Sequence, residues 1–553
     1  MTIQLLWKYQ KFSLLCIRMS PMNPIMRDRI LIFLLGSIFF LPFLGNVHLF
    51  DWDEINFAEA AREMIVTGKY YMVQINYLPF WQKPPLFIWM QALSMNLFGI
   101  GEYGARFPNA VCGIISLLTF YKIGRREHDR KFGLYWALAY LASLLPHLYF
   151  KSGIMDPWFN YFIFLSVYFF YRYAKDSTSS WKLLFLSASF SGLGIMTKGP
   201  VALLMLGLTV LCITLVQKKW LFRSMRDLLI FCSGLLLFGG FWFLEEILSG
   251  RSFIIEQFIT YQIKLLQTED AGHAGPFFYH PLVVLIGCFP ISVFALTKLF
   301  KFKSLKEHSM AAWMIALFWL VLLVFSIVQT KIVHYSSLAY LPLSYLAAYS
   351  LKDRISGLQF SKVIRIVLPI IGIALLLIFI ALPYLGMHIE ILRGLEIKDP
   401  FARGNLEAEV VWSFLDFSVA LLFALSLILY FSKKTPLWIP LISNALSVAL
   451  LLILFVPKIE AYSQRSAIEF YKEQQGKDVY VAPLGYKSYA HLFYTAKQIP
   501  TDSLHHDVNW LTSGKADRPT RFISKVQHEE TFISSGKLKV IGRKNGFVFY
   551  ERK

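Results

Sequence analysis

Apolar residues run along this chain in long blocks, separated by short polar stretches, from residue 29 to residue 457. A block of about 17–25 apolar residues is long enough to cross a hydrocarbon core about 30 Å thick as a helix. The pattern predicts thirteen such spans, at about 29–46, 107–121, 132–150, 157–171, 183–197, 200–216, 228–246, 278–297, 311–328, 334–350, 366–386, 412–431 and 436–456. The segment 86–98 is apolar but short and ends in "FGIG", which predicts a helix lying on the membrane surface. Composition agrees: 56% of residues are hydrophobic and only 16% charged, against about 25% charged in a soluble globular protein. The expected fold class is therefore a polytopic α-helical membrane protein.

Positive residues collect on the cytoplasmic side of membrane proteins, and here they alternate. With the N-terminus inside, the tail and the alternate connections "GRREHDRK", "RYAKDSTSSWK", "QKKWLFRSMRD", "KLFKFKSLKEH", "LKDRISGLQFSKVIR" and "SKK" hold 27 of the 55 Lys and Arg; the opposite connections hold 12. The net charge of +20 thus follows from topology and favours contact with anionic lipid rather than nucleic acid. The implied organisation is a cytoplasmic tail over 1–28, a membrane domain over 29–457 with its first outer loop at 47–106, and an extracytoplasmic α/β domain over 458–553. In that last domain "DVYVAPLG" reads as a strand, "YKSYAHLFYTA" as a helix, and "KLKVIGRKNGFVFYERK" as a hairpin about Asn545-Gly546. The five cysteines have no ligand spacing and support neither a disulfide framework nor a zinc knuckle.

With sidedness assigned, the unusual polar residues fall together on the outer face: "DWDEINFAEAAREM", "QKPP", "KSGIMDPW", "MTKGP", "QTEDAGHAGPFFYH" and "QTKIVHY". Ionisable groups at membrane depth are expensive and mark sites. Acids, lysines and a histidine bordered by lipid suit a lipid-phosphate substrate, with cations for the phosphate and an acid or base for the reacting group. In "DEINFAEAAREMIVTG" the apolar residues Ile55, Phe57, Ala58, Ala61, Met64 and Ile65 fall broadly on one side at helical spacing. Asp53 then sits at or just before a helix N-terminus, where free N–H groups keep a carboxylate ionised and able to take a proton. A plain N-cap role for Asp53 fits the same spacing.

The ordered series "DE…AEAAREM…QKPPLFIW…LFGIGEYGARFPNA", followed by "MDPW", "MTKGPVALL", "HAGPFFYH" and "KIVHYSSLAYLPLSYLAA", resembles the bacterial GT-C glycosyltransferases of the protein O-mannosyltransferase and lipid A aminoarabinose transferase superfamily. That resemblance implies transfer of a sugar from a polyprenyl-phosphate donor to a glycolipid, glycan or protein acceptor, outside the bacterial cytoplasmic membrane. It makes Asp53 the catalytic carboxylate, with Glu54, its neighbour in the motif, and Asp156 also counted as catalytic candidates, and Lys83 the contact to the donor phosphate. Asp156 becomes a partner of a cation or of the acceptor, against simple helix capping. Lys198, Lys331 and Tyr335 become phosphate or sugar contacts, against lysines that snorkel to headgroups. Arg62 ranks lower, because Glu59 and Glu63 can pair with it on the same helix. Lys264 falls in a predicted interfacial helix where relatives often carry a basic residue.

In aminoarabinose transferases a metal is associated with the histidine at His273 and with a glutamate just before the "KPP" lysine. That second position is Gln82 here, a neutral amide and a poor zinc ligand. His273 is therefore expected to bond substrate rather than to hold a divalent metal, and no cofactor is assigned. The principal alternative is a transporter or flippase of lipid-linked sugars. Transporters place charge near the midplane and show repeated halves; this chain collects charge in outer loops and shows no internal repeat.

Overall fold

The computed structural model describes residues 23–175, 180–267 and 275–553. Among them, five helices are long and apolar enough to cross a membrane: Glu102–Glu127, Met310–Ile327, Lys362–Met387, Phe414–Phe431 and Trp438–Ser463. The pair Met225–Gly239 and Phe241–Leu248, bent by 60° at its break, makes either a sixth, broken span or a re-entrant loop. Several of the thirteen apolar blocks are built from shorter pieces. The 132–150 block splits into Arg130–Leu141 and Leu144–Tyr149, and the 278–297 block into Tyr279–Gly287 and Ile291–Leu299 around Pro290. The 334–350 block starts as a 3-10 turn, Val333–Ala339, before the helix Tyr340–Ile355. Proline lacks the N–H that would continue a helix, and apolar composition does not register such breaks.

Close crossings explain several small residues. A Cβ on Gly192 would stand 2.7 Å from the backbone of Gly239, so Trp181–Lys198 and Met225–Gly239 touch backbone to backbone. Charged pairs sort into two sets. Asp28–Arg130 (2.5 Å), Glu127–Lys175 (3.2 Å) and Asp129–Lys352 (2.9 Å) join residues of one family of connections. Glu54–Arg106, Asp156–Lys198 and His48–Glu460 join residues of the other. Among the described residues no ion pair crosses between the sets, the separation that alternating connections require.

Beyond residue 464 the helix Arg465–Gln474 leads to a four-stranded sheet in the order β3-β4-β6-β5; the first two strands of the chain, β1 (Gln74–Ile75) and β2 (Leu78–Pro79), form a separate small hairpin. β3 (Tyr480–Leu484) runs parallel to β4 (Thr520–Lys525), whereas β6 (Phe547–Arg552) is antiparallel to β4 and to β5 (Leu538–Lys544). The β5–β6 turn is Asn545-Gly546, with φ of 48° and 78°, the paired positive values of a tight hairpin. The helical part of "YKSYAHLFYTA" is shorter than its pattern suggests, Ala490–Tyr494. This unit shares one hydrophobic core with the first loop: Ile55, Ala58 and Ala61 pack with Ile468, Tyr471, Leu492 and Phe493.

A polar latch lies beside that core. Arg62 donates to Glu59 through Nε and Nη2, both at 2.7 Å, and the Tyr77 N–H donates to Glu63 at 2.8 Å. Tyr77 Oη donates to the Lys497 carbonyl (2.5 Å), while Lys497 Nζ donates to Asn76 (2.6 Å). Burial raises the Glu63 carboxyl, and neighbouring Glu59 raises it further. A carboxyl raised in the folded state contributes stability at low pH and loses it as pH climbs through the raised value. Glu63→Gln is therefore expected to remove a fall in melting temperature between about pH 5 and pH 9, read by thermal unfolding of the purified chain; an unchanged pH slope contradicts the assignment.

Candidate functional site

Asp53 is the first residue of the helix Asp53–Thr67; the capping position belongs to Trp52, and no side chain bonds the helix end there. Asp53 is thus not an N-cap. Its Oδ2 lies 3.4 Å from Nε2 of His334, and its side chain is 31% exposed. A carboxylate at the first turn is favoured by the helix dipole, and this one remains open to a reactant.

Glu54, its neighbour, has a different occupation. It is buried, and both oxygens are engaged: Arg106 reaches it through Nε (3.0 Å) and Nη2 (2.8 Å), and the backbone N–H groups of Phe50 and Gly153 donate to it. Burial works to raise the Glu54 carboxyl, but Arg106 and these N–H groups outweigh it and hold the group below the usual carboxylate range. Arg106 also donates to the carbonyls of Leu44 (2.9 Å), Val47 (2.7 Å) and His48 (3.0 Å). The expectation that Glu54 is catalytic is corrected: with its oxygens filled, it fixes the chain leading into Asp53.

Asp156 opens the helix Asp156–Lys175 and is buried. Lys198, the last residue of the helix Trp181–Lys198, donates to its Oδ1 at 2.6 Å, and the other oxygen, Oδ2, is buried without a hydrogen-bond partner. Lys198 also lies 5.4 Å from the centre of the Tyr335 ring, so it points into the cluster rather than toward headgroups. The His334 and Tyr335 rings are 5.2 Å apart. Lys83, half-buried ahead of Pro84-Pro85, stands 5.9 Å from the Tyr261 ring and contributes to the field at both Asp156 and His334. Residues from five separate stretches thus converge: Asp53, Lys83, Asp156, Lys198, His334 and Tyr335.

Two expected contacts lie elsewhere. Lys331 is buried and donates to the carbonyls of Phe325 (3.3 Å), Ser326 (2.7 Å) and Val328, capping the helix Met310–Ile327. Its charge meets orphan carbonyls, where a basic side chain is stabilising, so the expected substrate contact is corrected to a structural one. Arg62 is 2% exposed and committed to Glu59, so the same correction applies to it. His273 lies outside the described residues. The residue missed in the sequence is His334, which stands inside the quoted "KIVHY" between the two residues selected there. Arg106, inside "GARFPNA", was likewise passed over.

Gln82 offers an amide, and among the described residues no group of three His, Cys, Asp or Glu is placed to hold an ion.

A family model for dolichyl-phosphate-mannose-protein mannosyltransferases matches residues 82–242. An undecaprenyl phosphate-alpha-4-amino-4-deoxy-L-arabinose arabinosyl transferase of Pseudomonas fluorescens is 28% identical over 374 residues, covering 63% of this chain and 65% of that one. A transferase of the same name from Photorhabdus laumondii is 24% identical, covering 63% and 64%. The crystal structure of ArnT from Cupriavidus metallidurans, bound to undecaprenyl phosphate, superposes with a TM-score of 0.75 over 94% of this chain and 97% of that chain, at 17% identity. The chain is thus similar in sequence to membrane glycosyltransferases over part of its length and shares the fold of that solved structure. The match to the two arabinosyl transferases spans just under two thirds of their length, and the structural likeness establishes a shared fold.

Proposed function

We propose that the protein transfers a sugar from a polyprenyl-phosphate donor to an acceptor hydroxyl on a glycolipid, glycan or protein, at the outer side of the bacterial cytoplasmic membrane. In this reading the thirteen apolar blocks all lie within the bilayer, the N-terminus is cytoplasmic, and residues 458–553 stand outside. The observation that carries it is the open Asp53 carboxylate held 3.4 Å from His334, beside a cluster of lysines, in a chain that resembles these transferases.

Transfer needs a base for the acceptor proton, a positive environment for the departing phosphate, and an apolar path for the polyprenyl tail. Asp53 takes the acceptor proton as the new glycosidic bond forms, and the C–O bond to the donor phosphate breaks with its electron pair going to the phosphate. His334 orients Asp53 and stabilises its charge. Lys83 meets the phosphate as its negative charge develops; a compact ammonium on a loop stiffened by two prolines suits that task. Asp156 holds Lys198 in place through its Oδ1.

The test uses purified protein in lipid nanodiscs with undecaprenyl phosphate and its sugar-loaded form. Lys83→Ala is expected to weaken binding of undecaprenyl phosphate by about 10- to 100-fold, the loss of one hydrogen bond to a charged group, and to lower the transfer rate. Unchanged donor binding and rate in a folded Lys83→Ala protein contradict the phosphate assignment.

A further inference from the structure

A cavity of about 770 Å³ opens in the C-terminal unit, between β3 and the segments that follow it. Its volume is in the range of small-molecule sites, about 300–1,000 Å³, yet Asp53 does not line it. Its chemistry differs from that of a passive cleft. Lys477, Lys487, Lys497 and Arg518 line it against a single carboxylate, Asp478, which Arg518 already neutralises at 2.7 Å. The amides of Asn76, Gln474, Gln475 and Gln498 and the imidazoles of His491, His505 and His506 add hydrogen-bonding groups. Cations with planar amides and imidazoles fit a ligand that carries both negative charge and hydroxyls.

The cavity is joined to the catalytic loop. Lys487 stands 5.0 Å from the centre of the Trp52 ring, and Trp52 stacks on Tyr489 at 5.3 Å. Ser488, another lining residue, hydrogen-bonds Asp51. Lining residues thus grip Asp51 and Trp52, the two residues that immediately precede Asp53. Lys497 ties the far wall to Asn76 of the same loop.

We infer that this cavity binds the acceptor, holding an acidic, phosphate- or carboxylate-bearing saccharide part of it beyond the reacting hydroxyl. The inference rests on the transferase reading, but binding here needs no turnover, so the two can fail separately.

The experiment titrates the full chain in nanodiscs of neutral lipid, at low salt, with glucose-6-phosphate, glucose and inorganic phosphate as probes. Glucose-6-phosphate is expected to bind about tenfold or more tightly than either of the others, because only it engages cations and hydroxyl-binding groups together. Lys477→Ala with Lys487→Ala is expected to weaken it at least tenfold, and Thr501→Trp, which fills the cavity without removing charge, to weaken it similarly should the double variant not fold. Asp53→Asn should bind the probe as the wild type does, and undecaprenyl phosphate should not displace it. No binding, equal binding of inorganic phosphate, indifference to the cavity variants, or displacement by undecaprenyl phosphate overturns the inference. Loss of transfer in Asp53→Asn alone bears on the transferase reading and leaves this one standing.

Discussion

Asp53→Asn is expected to lower the transfer rate by about 10²- to 10⁴-fold, the usual worth of a positioned general base, while leaving undecaprenyl phosphate binding within about twofold. The amide matches the carboxylate in size, and Asp53 makes no capping bond that the change would break. A rate loss without a binding loss locates the effect in the reaction step. His334→Gln is expected to fall between the wild type and Asp53→Asn and to shift the pH–rate profile, because His334 acts on Asp53 rather than on the substrate. If Asp53→Asn turns over normally in folded protein, the open carboxylate beside His334 is not the base.

The second large effect concerns stability. Arg106→Ala is expected to destabilise the protein by about 3–5 kcal/mol, the range for breaking one partner out of a buried ion pair. It strands the buried Glu54 carboxylate and removes the donor to three carbonyls at the start of the first loop. Arg106→Lys should recover only part of the loss, since one ammonium cannot serve five acceptors in a planar fork. Thermal unfolding in detergent measures this, and a melting temperature within a degree or two of the wild type contradicts the clamp.

The sequence made the broad architecture legible because bilayer physics is written in composition: apolar blocks and alternating basic connections follow from solvation alone. Asp53, Lys83, Asp156 and Lys198 are also legible as charges that stand out against an apolar background. Contact partners were less legible. Lys331 and His334 sit three residues apart in "KIVHY", and only the 3-10 turn Val333–Ala339 sends the histidine to Asp53 while the lysine caps a helix. Glu54 and Asp53 are adjacent and chemically alike, yet Arg106, 52 residues away, fills one and leaves the other open. Strand β4 escaped notice because its pairing with β3 links segments about forty residues apart, and such long-range pairing leaves little local signature.

Mass spectrometry of the total lipid extract and envelope glycans, from cells carrying the wild type or Asp53→Asn at matched protein level, tests the central claim most directly. The account predicts that one sugar disappears from its acceptor while the corresponding polyprenyl-phosphate sugar accumulates, naming donor and acceptor together. Identical lipid and glycan pools in the two strains would contradict it.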